Sequence, residues 1–159
     1  MSRPLLVAAL MLGVLLARPT PAAADITAFL GFASTPDNRS ARGFAFAVDV
    51  LLVGFEYEFA RTQADISTGA PELTTNMFNA MITTPTGDVQ LYATAGGGFY
   101  GEQFLDGTSR NFATNVGGGA KIDLAGPLRL RLDYRVFNLR GSPIAKNPQR
   151  FYAGIAVAF

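Results

Sequence analysis

The 159-residue chain contains no cysteine, no histidine and no tryptophan. Without cysteine it forms no disulfide, so its fold must be held together by packing and hydrogen bonding alone. Without histidine it lacks the usual base of nucleophilic catalysis and the commonest zinc ligand. These absences weigh against an enzyme, and we expect no catalytic residue, no metal site and no cofactor.

Long apolar runs are scarce as well. Only residues 5–17 form one, and they are too few for a membrane-spanning helix, which needs about 20. Arg3 precedes this run, and the small residues Ala22-Ala23-Ala24 follow it. A basic start, a short apolar run and a small-residue cleavage site predict a signal peptide over residues 1–24, with an uncleaved N-terminal anchor as the alternative. The exported mature domain then spans residues 25–159.

The charge balance of the chain bears on which partners its mature domain can attract. The chain has 13 basic and 12 acidic residues, and the leader holds Arg3 and Arg18 but no acidic residue. The mature domain is therefore close to neutral overall. Nothing in its net charge points to nucleic acid or to an anionic membrane surface.

Eight segments with a two-residue period predict β-strands, whose successive side chains point to opposite faces. They cover residues 26–34, 42–49, 52–62, 75–84, 89–101, 110–124, 128–139 and 150–159. Connections of two to four residues are expected after the second, fourth and sixth segments, and connections of roughly 7–12 residues after the others. This alternation is typical of an eight-stranded antiparallel up-and-down transmembrane β-barrel. The turn near Val50–Leu51 is unusual because it contains no Gly, Pro or Asn.

One face of most segments is bulky and apolar, whereas the opposite face carries the charges and many small residues. A soluble barrel would bury the bulky face, and a membrane barrel would turn it towards lipid. Small residues in strand interiors favour the membrane arrangement, because a narrow barrel must fit its inner side chains into little space. They are Gly43, Ala45, Ala47, Gly54, Gly96, Gly98, Ala113, Gly117, Gly119, Gly154, Ala156 and Ala158.

Charges inside a narrow barrel must be paired, since an isolated buried charge is very costly. The third and seventh segments, which lie across an eight-stranded barrel from each other, carry acidic and basic residues respectively. The expected ionic cluster of the lumen comprises Glu56, Glu58, Lys121, Asp123, Arg129, Arg131, Asp133 and Arg135. Three roles are open for it: a salt-bridge plug, a constriction or gate for small solutes or ions, and a catalytic carboxylate pair.

The last segment alternates bulky and small residues and ends on Phe159. It resembles the final strand of a bacterial outer-membrane β-barrel. The resemblance implies that Phe151, Ile155, Val157 and Phe159 form the signal that the barrel-assembly machinery reads. Aromatic residues near the strand ends are expected to form two interfacial girdles. They are Phe44, Phe59, Phe99, Tyr100, Phe137, Phe151, Tyr152 and Phe159.

The whole mature region resembles the small eight-stranded outer-membrane barrels of the outer membrane protein A/X type. Three segments carry the likeness, namely Val53-Gly-Phe-Glu-Tyr-Glu-Phe59, Asn115-Val-Gly-Gly-Gly-Ala-Lys121 and Leu130-Arg-Leu-Asp-Tyr-Arg135. The resemblance implies a monomer in the outer membrane of a Gram-negative cell envelope, in contact with its lipid. It also implies a non-enzymatic protein that is structural or narrow and porin-like.

Other functions stay open at this point. The family that the chain resembles also includes adhesion barrels and a few lipid-modifying enzymes. The loops of this chain are short, however, and the histidine that those enzymes need is missing. A soluble periplasmic lipocalin-like barrel that binds an apolar ligand is the main alternative. A hydrolase of the outer membrane that uses Ser, Asp or Tyr without histidine is the third hypothesis.

Overall fold

A computed structural model describes residues 23–34, 37–85, 87–104 and 107–159. Its eight strands are β1 (Ala23–Ala33), β2 (Arg39–Val50), β3 (Val53–Thr62), β4 (Glu72–Thr83), β5 (Val89–Phe104), β6 (Gly107–Ala125), β7 (Leu128–Leu139) and β8 (Gln149–Ala158). Each strand pairs with its sequence neighbours in antiparallel fashion, and β1 also pairs with β8. The sheet therefore closes into an up-and-down barrel, which confirms the predicted fold class. Among the described residues, no helix is long and apolar enough to cross a bilayer.

The two faces of the strands differ as the sequence pattern predicts. Large apolar side chains such as Leu30, Phe55, Phe78 and Ile82 point outwards and are exposed. The small residues of the opposite face point inwards, together with buried charged and hydroxyl side chains. An apolar outer surface around a polar interior is the arrangement that a lipid bilayer requires of a spanning barrel.

The strands extend further at the loop end than the sequence predicts. Residues 102–109, which were expected to be a loop, belong mostly to β5 and β6, and residues 72–74 belong to β4. Polar residues in these stretches continue the cross-strand ladder, since Glu102 lies opposite Ser109 and Gln103 opposite Thr108. Long connections remain at residues 63–71 and 140–148. The expected connection length is thus wrong for the hairpin of β5 and β6, because backbone pairing does not require apolar side chains. The alternation also fails between β1 and β2 and between β4 and β5, which are both joined by five residues, 34–38 and 84–88.

Two of the three connections at the opposite rim have the predicted length of two to four residues. Residues 51–52 join β2 to β3, and residues 126–127 join β6 to β7. Leu51 adopts a positive φ of 60°, and Gly126 has a φ of 55°. A positive φ at the first of two turn residues belongs to a type II′ hairpin turn, which normally has Gly there. Leu51 is therefore strained, and no Gly, Pro or Asn marks this turn in the sequence.

The connection at residues 63–71 has some internal order. Asp65 and Ala70 form a two-hydrogen-bond bridge, with N···O distances of 2.8 and 2.9 Å. The Ser67 hydroxyl and the Ser67 amide both donate to Asp65 Oδ1, at 2.6 and 2.9 Å. These hydrogen bonds, the hydroxyl first, lower the pKa of Asp65. The loop is thus ordered by its own polar contacts, and Arg39 of β2 holds its two ends by donating to the Gln63 and Pro71 carbonyls.

The predicted signal peptide lies almost entirely outside the described residues. Only its last two positions, Ala23 and Ala24, are described, and they continue β1 opposite Asp49 and Val48 of β2. The Ala24 amide also donates to the Phe159 carbonyl at 3.1 Å. Cleavage after Ala24 therefore stays a prediction, and it would shorten β1 at the short-turn rim.

Candidate functional site: the charged barrel interior

The centre of the barrel holds an ion-pair network that joins β3 to β7. Arg131 Nη1 lies 2.5 Å from Glu56 Oε2, and Arg135 Nη2 lies 2.7 Å from Glu56 Oε1. Asp133 lies between the two arginines on the same strand face, with Arg135 Nε 2.8 Å from its Oδ1 and Arg131 Nη2 3.1 Å from its Oδ2. The two-residue period puts all three β7 residues on the inner face. Opposite walls of the barrel are thus connected through side chains.

A second set of contacts extends the network towards the loop end. Glu58 pairs with Arg135 at 3.1 Å and also with Arg150 of β8. The Tyr152 hydroxyl donates to Glu58 Oε2 at 3.2 Å, and Arg150 Nη1 donates to Thr75 at 3.2 Å. The network therefore reaches β8 and β4 as well as the strands where it was expected.

Aromatic rings surround the buried guanidinium groups. The Arg150 guanidinium lies 4.7 Å from the ring centre of Phe137 and 5.7 Å from that of Phe29. Arg131 lies 4.9 Å from the ring of Tyr92, whose hydroxyl donates to Asp133 at 2.5 Å. Cation–π contacts of this kind stabilise a desolvated guanidinium beyond its ion pairs.

The prediction that eight aromatic residues form interfacial girdles is therefore wrong for three of them. Tyr100, Phe137 and Tyr152 are buried in the interior, because each falls on the inward phase of its strand. The other five keep an outward position, since they fall on the outward phase. Residue type alone does not assign a face; strand phase does.

The central network is electrically balanced. Three arginines (Arg131, Arg135 and Arg150) face three carboxylates (Glu56, Glu58 and Asp133). The side chains of Arg131, Arg135, Glu56 and Glu58 have an accessible fraction of 0%. A balanced, fully contacted set of charges is the condition under which burial is tolerated. The interior at this level is filled by side chains.

A separate group of charges fills the interior near the short-turn rim. Lys121 Nζ lies 2.5 Å from Asp25 and 3.1 Å from Asp49, and the Lys121 side chain is fully buried. Gly54 makes room for this group, because a Cβ on residue 54 would lie 2.1 Å from Asp49 Oδ1. Lys121 thus belongs to the interior, but it pairs with β1 and β2 and makes no ion pair with the central carboxylates.

Asp123 and Arg129 lie outside the buried network. They face each other across the hairpin of β6 and β7, with Arg129 Nε 2.7 Å from Asp123 Oδ1. The Asp123 side chain is 43% exposed, which places this pair at the rim. Their membership of the lumen cluster is therefore corrected: they share its strand face but lie too close to the turn to be enclosed.

Several interior residues were absent from the sequence-based set. They are Asp25, Asp49, Asn79, Tyr92, Arg150 and Tyr152. Asn79 donates to Glu56 Oε1 at 2.9 Å, although the facing of its strand could not be assigned from the sequence. Arg150 is the first residue of the last predicted segment and the second of β8, and its inward position follows from extending the alternation of Tyr152 and Gly154 backwards.

The outward residues of β8 form part of the outer wall. Phe151, Ile155, Val157 and Phe159 are all exposed. β8 itself pairs with β1 from Asp25 opposite Ala158 to Ala33 opposite Arg150, so it closes the barrel. These four residues therefore lie beside the seam of the closed sheet.

The fold and its two faces together define a small transmembrane β-barrel with a side-chain-filled interior. Comparisons with protein-family models and with curated proteins find no match. Solved structures do match, and several of them are outer-membrane proteins. The N-terminal β-barrel domain of Pseudomonas aeruginosa OprF superposes with a TM-score of 0.69 at 14% identity, covering 86% of this chain and 97% of that one.

Two further neighbours are informative. Neisserial surface protein A (NspA) superposes with a TM-score of 0.64 at 14% identity, covering 89% of this chain and 97% of its own. The outer membrane enzyme PagL superposes with a TM-score of 0.57 at 10% identity, covering 84% and 98% respectively. Identities this low establish the fold alone. The chain therefore has the fold of the small eight-stranded outer-membrane barrels, and the fold accommodates both enzymes and other proteins.

Proposed function

We propose that this protein is an integral outer-membrane β-barrel with a structural role, whose interior is closed by the central ion-pair network. The observation that carries the proposal is the buried, charge-balanced network of Glu56, Glu58 and Asp133 with Arg131, Arg135 and Arg150. An eight-stranded barrel is just wide enough for side chains to fill it. A filled barrel with an apolar exterior serves as a membrane-anchored scaffold.

A soluble barrel that binds an apolar ligand fits the geometry poorly. Such a barrel needs an apolar cavity inside and a polar surface outside. The interior here carries buried charges, whereas Leu30, Phe55, Phe78 and Ile82 are exposed on the outer surface. The lipocalin-like alternative would thus leave the apolar residues in water and the charges in the binding cavity.

A narrow pore is the second candidate, because the network consists of ion pairs that can exchange partners. Arg135 contacts Glu56, Glu58 and Asp133, so it has three anionic partners within one site. A rearrangement of these pairs would open a polar path along the interior. If the ion pairs rearrange, the network acts as a gate; if they stay fixed, it is a permanent plug.

Single-channel recording in planar bilayers tests the closed interior. The wild-type barrel should give no steady conductance, and the charge-balanced variant Arg131→Met/Glu56→Gln should stay closed or open only briefly. Arg131→Ala removes a large side chain from the centre and should raise the conductance. Steady openings of the wild type would reject the plug and favour the narrow pore. Equal behaviour of the wild type and Arg131→Ala would show that the network does not close the path.

The proposal includes the absence of catalysis. The carboxylates of the network, Glu56, Glu58 and Asp133, each contact at least two cationic or hydroxyl groups. A carboxylate held in this way is a weak general base. Because the enzyme PagL shares the fold, the absence of catalysis has to be tested directly. Folded protein is incubated with outer-membrane lipids, and mass spectrometry should find the lipids intact.

We also propose a monomer that is inserted by the barrel-assembly machinery. Closure of β1 on β8 leaves no strand edge to pair with a second copy. The exposed residues Phe151, Ile155, Val157 and Phe159 form one outward stripe on β8 that the machinery could bind. The apolar outer wall supports contact with outer-membrane lipid.

A further inference from the structure

Two arginines stand side by side on the outer wall of the barrel, towards its loop end. Arg42 of β2 and Arg61 of β3 are direct cross-strand partners, and both are exposed. Like charges placed directly opposite each other on a sheet face destabilise the strand pair. The cost is larger on a lipid-facing wall, where little water is present to screen the repulsion. An anion bound at this position would remove the repulsion.

A carboxylate of the protein neutralises only one of these two arginines. Arg61 Nε lies 3.2 Å from Glu72 Oε1, in a pair whose side chains are both partly exposed. Among the residues that the structure describes, Arg42 has neither an ion-pair partner nor a side-chain hydrogen bond. The same holds for Arg110, an exposed residue of β6. Two guanidinium groups on this wall are thus available to an external anion.

Two grooves in the wall meet at Arg61. The first has a volume of about 700 Å³, and it is lined by Arg42, Arg61 and the apolar residues Leu30 and Phe44, among others. The second has a volume of about 570 Å³ and extends from Arg61 to Arg110. Phe59 lines both grooves, and it stacks on Phe44 with 5.5 Å between ring centres.

Small residues create the first groove. Ala28 and Ala153 line it on the outward phase, and their short side chains leave a depression between bulkier neighbours. The first groove thus has an apolar surface of the kind that an acyl chain fills, with guanidinium groups at its border. The second groove is more polar, and Glu72 lies in its lining beside Arg61. Guanidinium binds phosphate oxygens in a bidentate manner, and it does so better than an ammonium group.

The opposite rim of the barrel lacks this feature among the described residues. Its outward positions near the turns are apolar, as Val50, Leu51, Leu52, Leu124 and Leu128 show. The arginines therefore mark one side of the membrane, which is the outer leaflet if the longer loops face outwards. A lipid specific to that leaflet is the partner that matches this asymmetry.

We propose that this wall binds a phosphorylated outer-leaflet glycolipid of the lipid A type, with phosphates at Arg42, Arg61 and Arg110 and acyl chains in the first groove. Its two phosphates match guanidinium groups placed on either side of Arg61, and its acyl chains match the apolar groove. The proposal rests on the proposed function, since only a barrel inserted in the outer membrane presents this wall to such a lipid.

Native mass spectrometry of the folded barrel in detergent tests the site, with diphosphorylated lipid A as the probe. Arg42→Gln removes a guanidinium group that has no ion-pair partner and no side-chain hydrogen bond among the described residues, so the barrel should still fold. Arg140→Gln is the matched control, because Arg140 is exposed in the loop connection 140–148, outside both grooves. The wild type and the control should bind lipid A alike. Arg42→Gln should bind it about tenfold more weakly, through loss of charge-assisted hydrogen bonds.

Two comparisons complete the test. Lipid A without phosphates should bind the wild type no better than Arg42→Gln binds the intact lipid. Without added lipid, the melting temperature of Arg42→Gln should equal or exceed that of the wild type, because a like-charge repulsion is removed. Equal lipid binding by Arg42→Gln, or a clearly lower melting temperature without lipid, would overturn the proposal. A barrel that folds in detergent but fails to bind lipid rejects this site alone, whereas a chain that never inserts rejects the proposed function.

Discussion

At the scale of single residues, the central network depends on matching each of its charges with an opposite charge. Arg135 contacts three carboxylates, and Glu56 contacts two arginines and Asn79. No member can be removed without leaving another underpaired. Since burying an ion pair costs desolvation energy, the network is better regarded as a device that sets one arrangement of the interior than as a source of net stability.

A variant pair separates charge balance from packing. Arg131→Met keeps the bulk of the side chain but leaves Glu56, Glu58 and Asp133 facing only two arginines. We expect it to lower the free energy of unfolding by about 3–5 kcal/mol, the typical cost of an unpaired buried charge. The double variant Arg131→Met/Glu56→Gln restores the balance and should recover most of the loss.

Urea unfolding in lipid vesicles provides the measurement. Because the chain has no tryptophan, far-ultraviolet circular dichroism is the suitable signal. Glu58→Gln in the wild-type background serves as the control, since it creates an imbalance of the opposite sign. If the double variant were no more stable than Arg131→Met, lost contacts rather than lost balance would explain the effect.

The sequence identifies the centre of this network because the two-residue period reveals which side chains share a face. Glu56, Glu58, Arg131 and Arg135 follow from that period and from the position of the seventh strand across from the third. The period gives a face but no depth along the barrel, so Asp123 and Arg129 could not be recognised as rim residues. Arg150 was missed because it stands at the edge of its segment, where the alternation has only begun.

At the scale of elements, the turn between β2 and β3 has a backbone conformation that its residue types do not favour. Leu51 holds a positive φ of 60° in the turn between β2 and β3. This conformation costs an L-residue roughly 1–2 kcal/mol, whereas Gly adopts it freely. The pairing of Val50 with Val53 is maintained despite this cost, which shows that register and closure dominate over turn preference here.

Leu51→Gly should therefore stabilise the barrel. We expect a gain of about 0.5–1 kcal/mol, since relief of the backbone strain exceeds the added flexibility of Gly in the unfolded chain. Leu51→Ala, which loses the side chain but keeps the strain, is the matched control and should give no gain. Urea midpoints of the three proteins decide the matter, and equal midpoints for the Gly and Ala variants would contradict a strained turn.

We expect the outward residues at the end of the chain to act during assembly as well as in the outer wall of the finished barrel. Phe159 and Phe78 are both exposed on the outer wall, with exposed fractions of 69% and 65%. Phe159→Ala should reduce the amount of folded barrel in cells, whereas Phe78→Ala should not, because only the first lies in the proposed assembly signal. Both variants should refold equally in detergent. Equal yields of the two variants in cells would remove the signal from β8.

At the scale of the whole molecule, the sequence predicts the strand number, closure and facing, since these follow from periodicity and from the composition of the two faces. It predicts loop lengths less well, because polar residues at the ends of β5 and β6 continue the ladder. The sequence also does not predict which side chains are neighbours on the outer wall. The register that sets Arg42 opposite Arg61 arises from the hairpin connection at residues 51–52, and no local pattern contains it.

The membrane assignment can be tested on the whole protein without any substitution. A closed barrel in detergent keeps all its strands paired, so it resists unfolding by dodecyl sulfate until it is heated. We expect the protein in the outer-membrane fraction and a change in gel mobility between unheated and boiled samples. The same unheated form should appear after refolding in detergent, and no such form should appear in detergent-free buffer. Recovery in the soluble periplasm without a mobility change would contradict the lipid-facing outer wall, on which the scaffold and the glycolipid site both depend.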